Sequence, residues 1–138
     1  QTVQWLAFAS NAFNTLVPFY AAVDETPEYL ANTTKEVSTE NFYWSARMIA
    51  AMADASFAKS AIHIERYQNA VQAKGHALLR KYDAEAAKIT DPAESRRLLG
   101  KANREIAKML KEETGNTLDH VLFELSNSMK NAFSRSDA

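Results

Sequence analysis

The most restrictive feature of this sequence is a pair of short segments near its start that are apolar on both faces. Segments 3–9 and 15–23 are rich in aromatic and β-branched residues, and the asparagines between them favour a turn. Successive residues of a strand point to opposite faces, and here both faces carry apolar side chains. Such strands are typical of a sheet that is covered on both sides. The pattern therefore predicts an antiparallel strand pair that needs further strands and two covering layers.

No later segment of the sequence reads convincingly as another strand, so this pair lacks partners within the chain. A two-stranded hairpin is only marginally stable in water. Pro18 has no N–H group, which leaves one side of the second strand unpaired at that position. We therefore expect the chain to be the C-terminal piece of a larger domain whose sheet lies mostly upstream. The alternative is a small α+β domain whose own helices wrap the hairpin.

The remainder of the sequence predicts helices. It has few helix breakers, because the whole chain holds 3 glycines and 3 prolines against 24 alanines. A short helix is expected after Thr26-Pro27-Glu28, where threonine caps and proline suits the first turn. The fold class is thus α+β and predominantly helical: a short antiparallel strand pair followed by long antiparallel helices.

A long helix is predicted from Ser38 or Thr39, either of which can cap it, with Glu40 in its first turn. No strong breaker follows before residue 91, and an unbroken helix of this length would measure roughly 70 Å. A compact domain of this size is only about 37 Å across. Because the phase of the apolar stripe changes between residues 62 and 67, we expect a bend there, with Gly75 as a second candidate.

Two further helices are predicted in the last third of the sequence. Asp91 caps the first of them, with Pro92 at its first position. The glycine in segment 114–116 is expected to end that helix, and Thr117 to cap the last one. We expect residues 1–39 to belong to a sheet and residues 40–138 to form a helical region.

Composition excludes several functions. The formal net charge is −1, whereas a nucleic-acid binder needs a basic excess, so no nucleic-acid partner is expected. The absence of cysteine excludes disulfides, thiolate metal sites and a cysteine nucleophile within this chain. No apolar run approaches the roughly 20 residues that span a bilayer, so no membrane partner is expected either.

The three histidines form no metal motif. His63, His76 and His120 are never three or four residues apart, and only His120 has a carboxylate, Glu124, one helical turn away. We interpret that pair as part of a polar helix face rather than as metal ligands. No metal site is predicted.

No catalytic residue can be chosen from the sequence, no cofactor is expected, and the substrate-binding residues stay unknown. No serine lies in a Gly-x-Ser-x-Gly elbow, and three scattered glycines cannot form a phosphate-binding loop. Helical acids such as Glu65, Glu105 and Glu112 are interpreted as solvated partners of nearby lysines and arginines.

Aromatic and basic clusters have structural interpretations. The segment 42–44 with Arg47 could line a pocket with an anion anchor, but burial of the helix start against the strands is the better interpretation. Trp5 and Tyr20 are expected to belong to the core, with a pocket wall as the alternative. One set of basic residues is interleaved with acids and predicts a solvated surface: His63, Arg66, Lys74, Arg80 and Lys81.

Several segments resemble the C-terminal part of the dipeptidase A family of lactic acid bacteria. They are residues 5–9, 13–20, 38–47, 63–68 and the closing Ser-Asp-Ala at 136–138. The most specific are the Val-Pro-Phe-Tyr strand at 17–20 and Phe-Tyr-Trp at 42–44. The resemblance covers the whole chain, but none of these segments is a catalytic motif.

This resemblance implies an N-terminal-nucleophile hydrolase, related to choloylglycine hydrolase and penicillin V acylase, with an αββα sandwich of two packed sheets between helices. Members hydrolyse dipeptides with a cysteine made N-terminal by processing, whose own α-amino group acts as base. Residue 1 is Gln and cysteine is absent, so the nucleophile, its base and the oxyanion donors would lie upstream.

The sequence therefore predicts a C-terminal fragment of a bacterial cysteine-type dipeptidase that is structural in role and inactive alone. Its expected partners are the remainder of its own parent chain and, when studied alone, further copies of itself that cover the hairpin edges. Dipeptide is a substrate of the full-length protein only, and the family implies a cytoplasmic location. The alternative is a non-catalytic helical interaction module that acts through apolar helix faces.

Overall fold

The computed structural model describes residues 2–7, 15–23, 25–31 and 33–136, with side chains on the last helix described as far as Met129. Its elements are, in chain order: β1 (Val3–Leu6), β2 (Val17–Tyr20), α1 (Glu28–Ala31), α2 (Phe42–Ala55), α3 (Phe57–Ala86) and α4 (Pro92–Ser136). The predicted class, α+β and mostly helical with a strand pair before long helices, is confirmed. None of the described helices is both long enough and apolar enough to cross a membrane.

The two strands form an antiparallel pair in which Val3 lies opposite Tyr20 and Leu6 opposite Val17. Each strand is shorter than predicted, with four residues. The predicted end of the first strand at residues 8–9 and the turn at 10–14 lie outside the described residues. All four residues of β2 are buried, so it is covered on both faces as expected, whereas β1 is half exposed.

A single turn of helix, α1, follows Pro27 as the sequence predicts. The Pro27 carbonyl accepts from the N–H groups of Leu30 and Ala31 at 3.0 and 3.1 Å. The turn places the buried Tyr29 ring edge-on against Phe42, with ring centroids 6.0 Å apart. The connection between the strands and the first long helix is thereby attached to the core.

The N-cap of α2 is Asn41, so the prediction of Ser38 or Thr39 is wrong. The Asn41 Oδ1 accepts from the Trp44 N–H at 3.0 Å, and its Nδ2 donates to Thr34 Oγ1 at 3.3 Å. Asn41 is fully buried, and both polar atoms of its side chain are hydrogen-bonded. Ser38 is used in the preceding turn instead, where its Oγ accepts from the Glu40 N–H at 3.0 Å.

The long helix breaks at Ser56, earlier than either predicted position. Ser56 leaves the helical region with φ −140° and ψ 48°. The break lets α2 and α3 both face α4, because Ile49 of α2 and Ile64 of α3 join one apolar cluster with Leu118 and Val121. Gly75, the other predicted break, lies inside the continuous helix α3.

The last two predicted helices are a single helix of 45 residues, so the prediction of a stop at 114–116 is wrong. Asp91 does cap its start, since its Oδ2 accepts from the Glu94 N–H at 3.1 Å. Thr114 and Thr117 are both buried: the Thr114 hydroxyl lies 2.8 Å from that of Tyr67 in α3, and the Thr117 hydroxyl donates back to the Glu113 carbonyl at 2.9 Å. Packing on both sides of Gly115 outweighs the roughly 1 kcal/mol that a glycine costs inside a helix.

The core lies where β2, α3 and α4 meet. It is formed mainly by three groups of apolar residues: Val17, Phe19 and Tyr20 of β2, Tyr67, Val71 and Tyr82 of α3, and Leu99, Ala102, Ile106 and Leu110 of α4. The helices α3 and α4 run antiparallel along their length, as their cross-helix pairs Tyr67–Thr114 and Lys81–Glu105 show.

Candidate functional site

The three imidazoles are occupied in structural contacts. His63 Nε2 lies 3.2 Å from Glu124 Oε1, and the His63 ring lies on the ring of His120 with centroids 5.1 Å apart. His76 packs against Trp5 with centroids 4.7 Å apart. Among the hydrogen bonds of the described residues, none joins a histidine to a hydroxyl. No imidazole in this part of the chain is therefore placed to activate a serine or threonine.

Glu124 pairs with His63 of α3 rather than with His120 on its own helix. In the described part of the chain, no group of three or more histidine, cysteine, aspartate or glutamate residues could hold a metal ion. The expected polar helix face is thus a contact between α3 and α4. Sequence spacing missed this pair because its partners lie 61 residues apart.

The aromatic segment at the start of α2 is divided between core and surface. Phe42 is buried, whereas Tyr43 is 43% exposed. The Trp44 Nε1 donates to the Thr34 carbonyl at 2.6 Å. The Arg47 guanidinium lies over the exposed ring of Tyr43 and the half-buried ring of Trp44, 5.3 Å and 5.9 Å from their centroids. Arg47 therefore stacks on aromatic rings.

Trp5 and Tyr20 differ in burial, although both were expected in the core. Trp5 is 36% exposed on β1. Tyr20 is buried, and its hydroxyl donates to Asp83 Oδ1 at 2.8 Å, with the Leu79 carbonyl 3.3 Å away. Tyr20 thereby links the strand pair to the last turns of α3.

Two of the basic residues on α3 are paired with acids, as the interleaved charges predict. Lys74 contacts Glu113, and the Lys81 Nζ lies 3.6 Å from Glu105 Oε2, each pair joining α3 to α4. Both lysine side chains are more than half exposed. Pairs of this kind each contribute little to stability, about 0–1 kcal/mol. These exposures agree with the predicted solvated helix surface.

The shifted pKa values all move away from neutrality. Burial raises the pKa of the Tyr20, Tyr29, Tyr67 and Tyr82 phenols, with the Asp83 hydrogen bond adding to the effect at Tyr20. The neighbouring Tyr82 phenol is the main cause that lowers the pKa of Glu105. A general acid or base at pH 7 needs a pKa near that value. None of these shifted groups is prepared for proton transfer.

A cavity of about 360 Å³ opens between the segment after β2 and the middle of α4. It is lined by Val23, Glu25, Pro27, Glu28, Tyr29, Gly100, Arg104, Ala107, Lys108 and Lys111. Charges of both signs face it, and Lys111 is already paired with Glu40 at 2.6 Å. These lining residues include no histidine, serine or threonine, so a hydroxyl nucleophile paired with an imidazole base is not found among them.

Asn103 is a buried polar residue for which the sequence predicted no role. It is buried in α4, where its side-chain amide holds the backbone of Tyr20. The signal in the sequence is an asparagine within the apolar stripe that contains Leu99, Ala102 and Ile106. A buried amide must be hydrogen-bonded, so such a position predicts a specific partner elsewhere.

Comparison with known proteins identifies the class. Residues 1–70, which include the strand pair, α1, α2 and the first half of α3, match peptidase family C69. This chain belongs to that family. The chain is 37% identical to a dipeptidase of Bifidobacterium longum (strain NCC 2705), in an alignment that covers 99% of the chain and 33% of the relative.

Two further relatives are also named as dipeptidases. A probable dipeptidase A of Streptococcus pyogenes serotype M3 (strain SSI-1) is 39% identical, over 98% of the chain and 28% of the relative. Dipeptidase A of Lactobacillus helveticus is 25% identical, over 88% of the chain and 25% of the relative. The resemblance to the dipeptidase A family is confirmed. The chain spans about a third or less of the length of these relatives.

Proposed function

We propose that this chain is the C-terminal part of a bacterial dipeptidase and that it supports the hydrolase structurally, without supplying its catalytic groups. One observation carries the proposal: nearly the whole chain matches dipeptidases, but only about a third of each dipeptidase is matched. The proposed parent hydrolyses the peptide bond of dipeptides. Residues 1–39 would belong to its sheet and residues 40–138 to a helical region packed beside it.

The chemistry of the parent belongs upstream of this chain. We propose a cysteine-type enzyme in which an N-terminal cysteine thiol attacks the peptide carbonyl while its own α-amino group takes the proton. The chain contains no cysteine that could serve as this nucleophile. Its histidines are engaged by Glu124, by one another and by Trp5, and its shifted pKa values lie far from neutrality. These contacts support a structural role and an inactive isolated chain.

The location and assembly of the parent are part of the same proposal. Its location is cytoplasmic, as expected for the dipeptidases that the chain resembles. The main partner of the chain is the remainder of its own polypeptide, and dipeptides bind only to the complete protein. Self-association of the isolated chain follows from apolar surface that the rest of the parent would cover.

The proposal is tested on the protein purified from its own source. We expect an intact mass of roughly three times 15.4 kDa, as a share of about a third implies, and an N-terminal cysteine. The purified protein should hydrolyse dipeptides and lose this activity when its thiols are alkylated. The 138-residue chain alone should have no activity in the same assay. Hydrolysis by the isolated chain would show that the catalytic groups have been placed in the wrong part of the protein.

A second candidate is a helical interaction module without catalysis. The observation that favours it is a set of exposed apolar side chains in the second half of α4: Leu122, Phe123 and Met129 are each at least half exposed. A native protein with a mass near 15.4 kDa and no peptidase activity would support this candidate instead.

A further inference from the structure

The two outer edges of the strand pair are not equivalent. The Ala21 N–H donates to the Thr2 carbonyl at 3.0 Å, which makes Thr2 and Ala21 a hydrogen-bonded pair. In an antiparallel ladder the next pair, Val3 and Tyr20, is then non-hydrogen-bonded, and both of its members direct their N–H and C=O groups outward. The same orientation recurs at the pair formed by Trp5 and Pro18.

The outer edge of β2 is closed at both of its outward-facing residues. The Tyr20 N–H donates to Asn103 Oδ1 at 2.8 Å, and Asn103 Nδ2 donates to the Tyr20 carbonyl at 3.1 Å. The asparagine amide therefore takes the place of a neighbouring strand. Pro18, the other outward residue, has no N–H to offer. Helix α3 lies against it, since a Cβ on Gly75 would be 2.9 Å from Pro18 Cδ.

The outer edge of β1 is open in the described part of the chain. Val3 and Trp5 lie opposite Tyr20 and Pro18, so their backbone groups point away from β2. Within residues 2–7, 15–23, 25–31 and 33–136, the sheet has two strands and β1 has no second neighbour. The strand is half exposed, although it carries valine, tryptophan and leucine. An exposed apolar edge of this kind pairs readily with a further strand.

We infer that the sheet of the longer protein continues through β1 alone: a strand from the upstream part of the same polypeptide pairs with the outward groups of Val3 and Trp5, and β2 is the last strand, closed by Asn103. This inference rests on the proposed function, because it needs the upstream polypeptide. The relatives, about three times as long as this chain, provide the length for such a strand. A second copy of the chain is the competing occupant.

Hydrogen exchange of individual amides tests the pairing. In the isolated chain, the outward amides of Val3 and Trp5 should exchange at least about tenfold faster than those of Gln4 and Leu6, which face β2. In the longer protein, all four amides should be protected to a similar degree. Protection of Val3 and Trp5 that is lost when the longer protein is diluted would assign the edge to a second copy and overturn the inference.

A matched pair of variants separates the backbone group from the side chain. Val3→Ala removes packing but keeps the outward N–H, whereas Val3→Pro removes that N–H as well. The two variants should have equal melting temperatures in the isolated chain. In the longer protein, Val3→Pro should melt at least about 3 °C below Val3→Ala. Equal melting temperatures in the longer protein would contradict pairing at this edge.

The readouts distinguish the two proposals. A longer protein that hydrolyses dipeptides while Val3 and Trp5 exchange rapidly would leave the proposed function standing and overturn the edge assignment. A longer protein that protects both amides but has no dipeptidase activity would support the edge assignment and overturn the proposed function.

Discussion

Asn103 of α4 holds both backbone groups of Tyr20, which lies 83 residues earlier in β2. Its Oδ1 accepts from the Tyr20 N–H at 2.8 Å, and its Nδ2 donates to the Tyr20 carbonyl at 3.1 Å. Both residues are buried, so without the amide these two backbone groups would have neither water nor a strand as partner. One side chain thus attaches the strand pair to the helices.

Asn103→Ala should therefore be strongly destabilising. It leaves a buried N–H and a buried carbonyl unpaired, at a cost of about 1–3 kcal/mol for each group. The matched control is Asn116→Ala, which makes the same change at an exposed position of the same helix. Urea unfolding of both variants, followed by circular dichroism, measures the difference in the free energy of unfolding. Equal stabilities of the two variants would contradict the role of the Asn103 amide.

Two glycine substitutions should change the stability of the protein in opposite directions. In α4, Gly115→Ala should stabilise the protein by about 1 kcal/mol, because an added Cβ meets no atom within 4 Å and alanine favours helix. In α3, Gly75→Ala should destabilise it by about 1–3 kcal/mol, because the Cβ would lie 2.9 Å from the rigid ring of Pro18. Thermal melting of both variants is the measurement. A stabilising Gly75→Ala would show that α3 and β2 separate without cost.

Asn41→Ala tests the start of α2. Removal of the cap and of its bond to Thr34 should cost about 1–2 kcal/mol of unfolding free energy. Ser38→Ala, at the position that the sequence favoured, should cost less than about 0.5 kcal/mol, because Ser38 bonds only within an exposed turn. Denaturant midpoints of the two variants give the comparison. The reverse order would restore Ser38 as the cap.

Stability should fall as pH rises above 10. The pKa of the buried phenols of Tyr20, Tyr67 and Tyr82 is raised from 10.0, to about 12 at Tyr82, mainly by burial. The unfolded chain loses these protons first, so it binds fewer protons than the folded chain between pH 10 and 12. The stability that these phenols contribute is therefore fully present below pH 10. Above pH 10 it declines at up to about 1.4 kcal/mol per pH unit for each phenol.

Denaturant unfolding at pH 9, 10 and 11 measures this decline. Tyr82→Phe removes one of the titrating groups and serves as the control, so its stability should fall less steeply with pH than that of the unmodified chain. An identical slope in the two proteins would mean that the Tyr82 phenol already ionises freely in the folded state.

Some features of the fold were predictable because they depend on local sequence. The apolar residues of β2 and the turn chemistry at Pro27 predicted the strand and α1, and Asp91-Pro92 predicted the start of α4. The resemblance to dipeptidases was carried by short segments such as 17–20 and 42–44. The absence of cysteine excludes a cysteine nucleophile from this chain.

Features that depend on distant contacts were missed. Gly115 and its neighbours satisfy the local rules for a helix end, but α4 continues through them because Thr114 and Thr117 on either side are buried, Thr114 against Tyr67 of α3. Ser56 breaks the long helix without glycine or proline, since the bend brings both apolar faces onto α4. Local propensities of about 1 kcal/mol were outweighed by burial in each case.

The sequence by itself determined the class of elements and the family, because composition, periodicity and short motifs act over a few residues. Only the tertiary structure decided where helices bend, which asparagine caps α2 and which edge of the strand pair is closed. The physical reason is that a buried polar group such as the Asn103 amide takes its partner from wherever the chain folds. That partner, the backbone of Tyr20, cannot be read from the residues beside it.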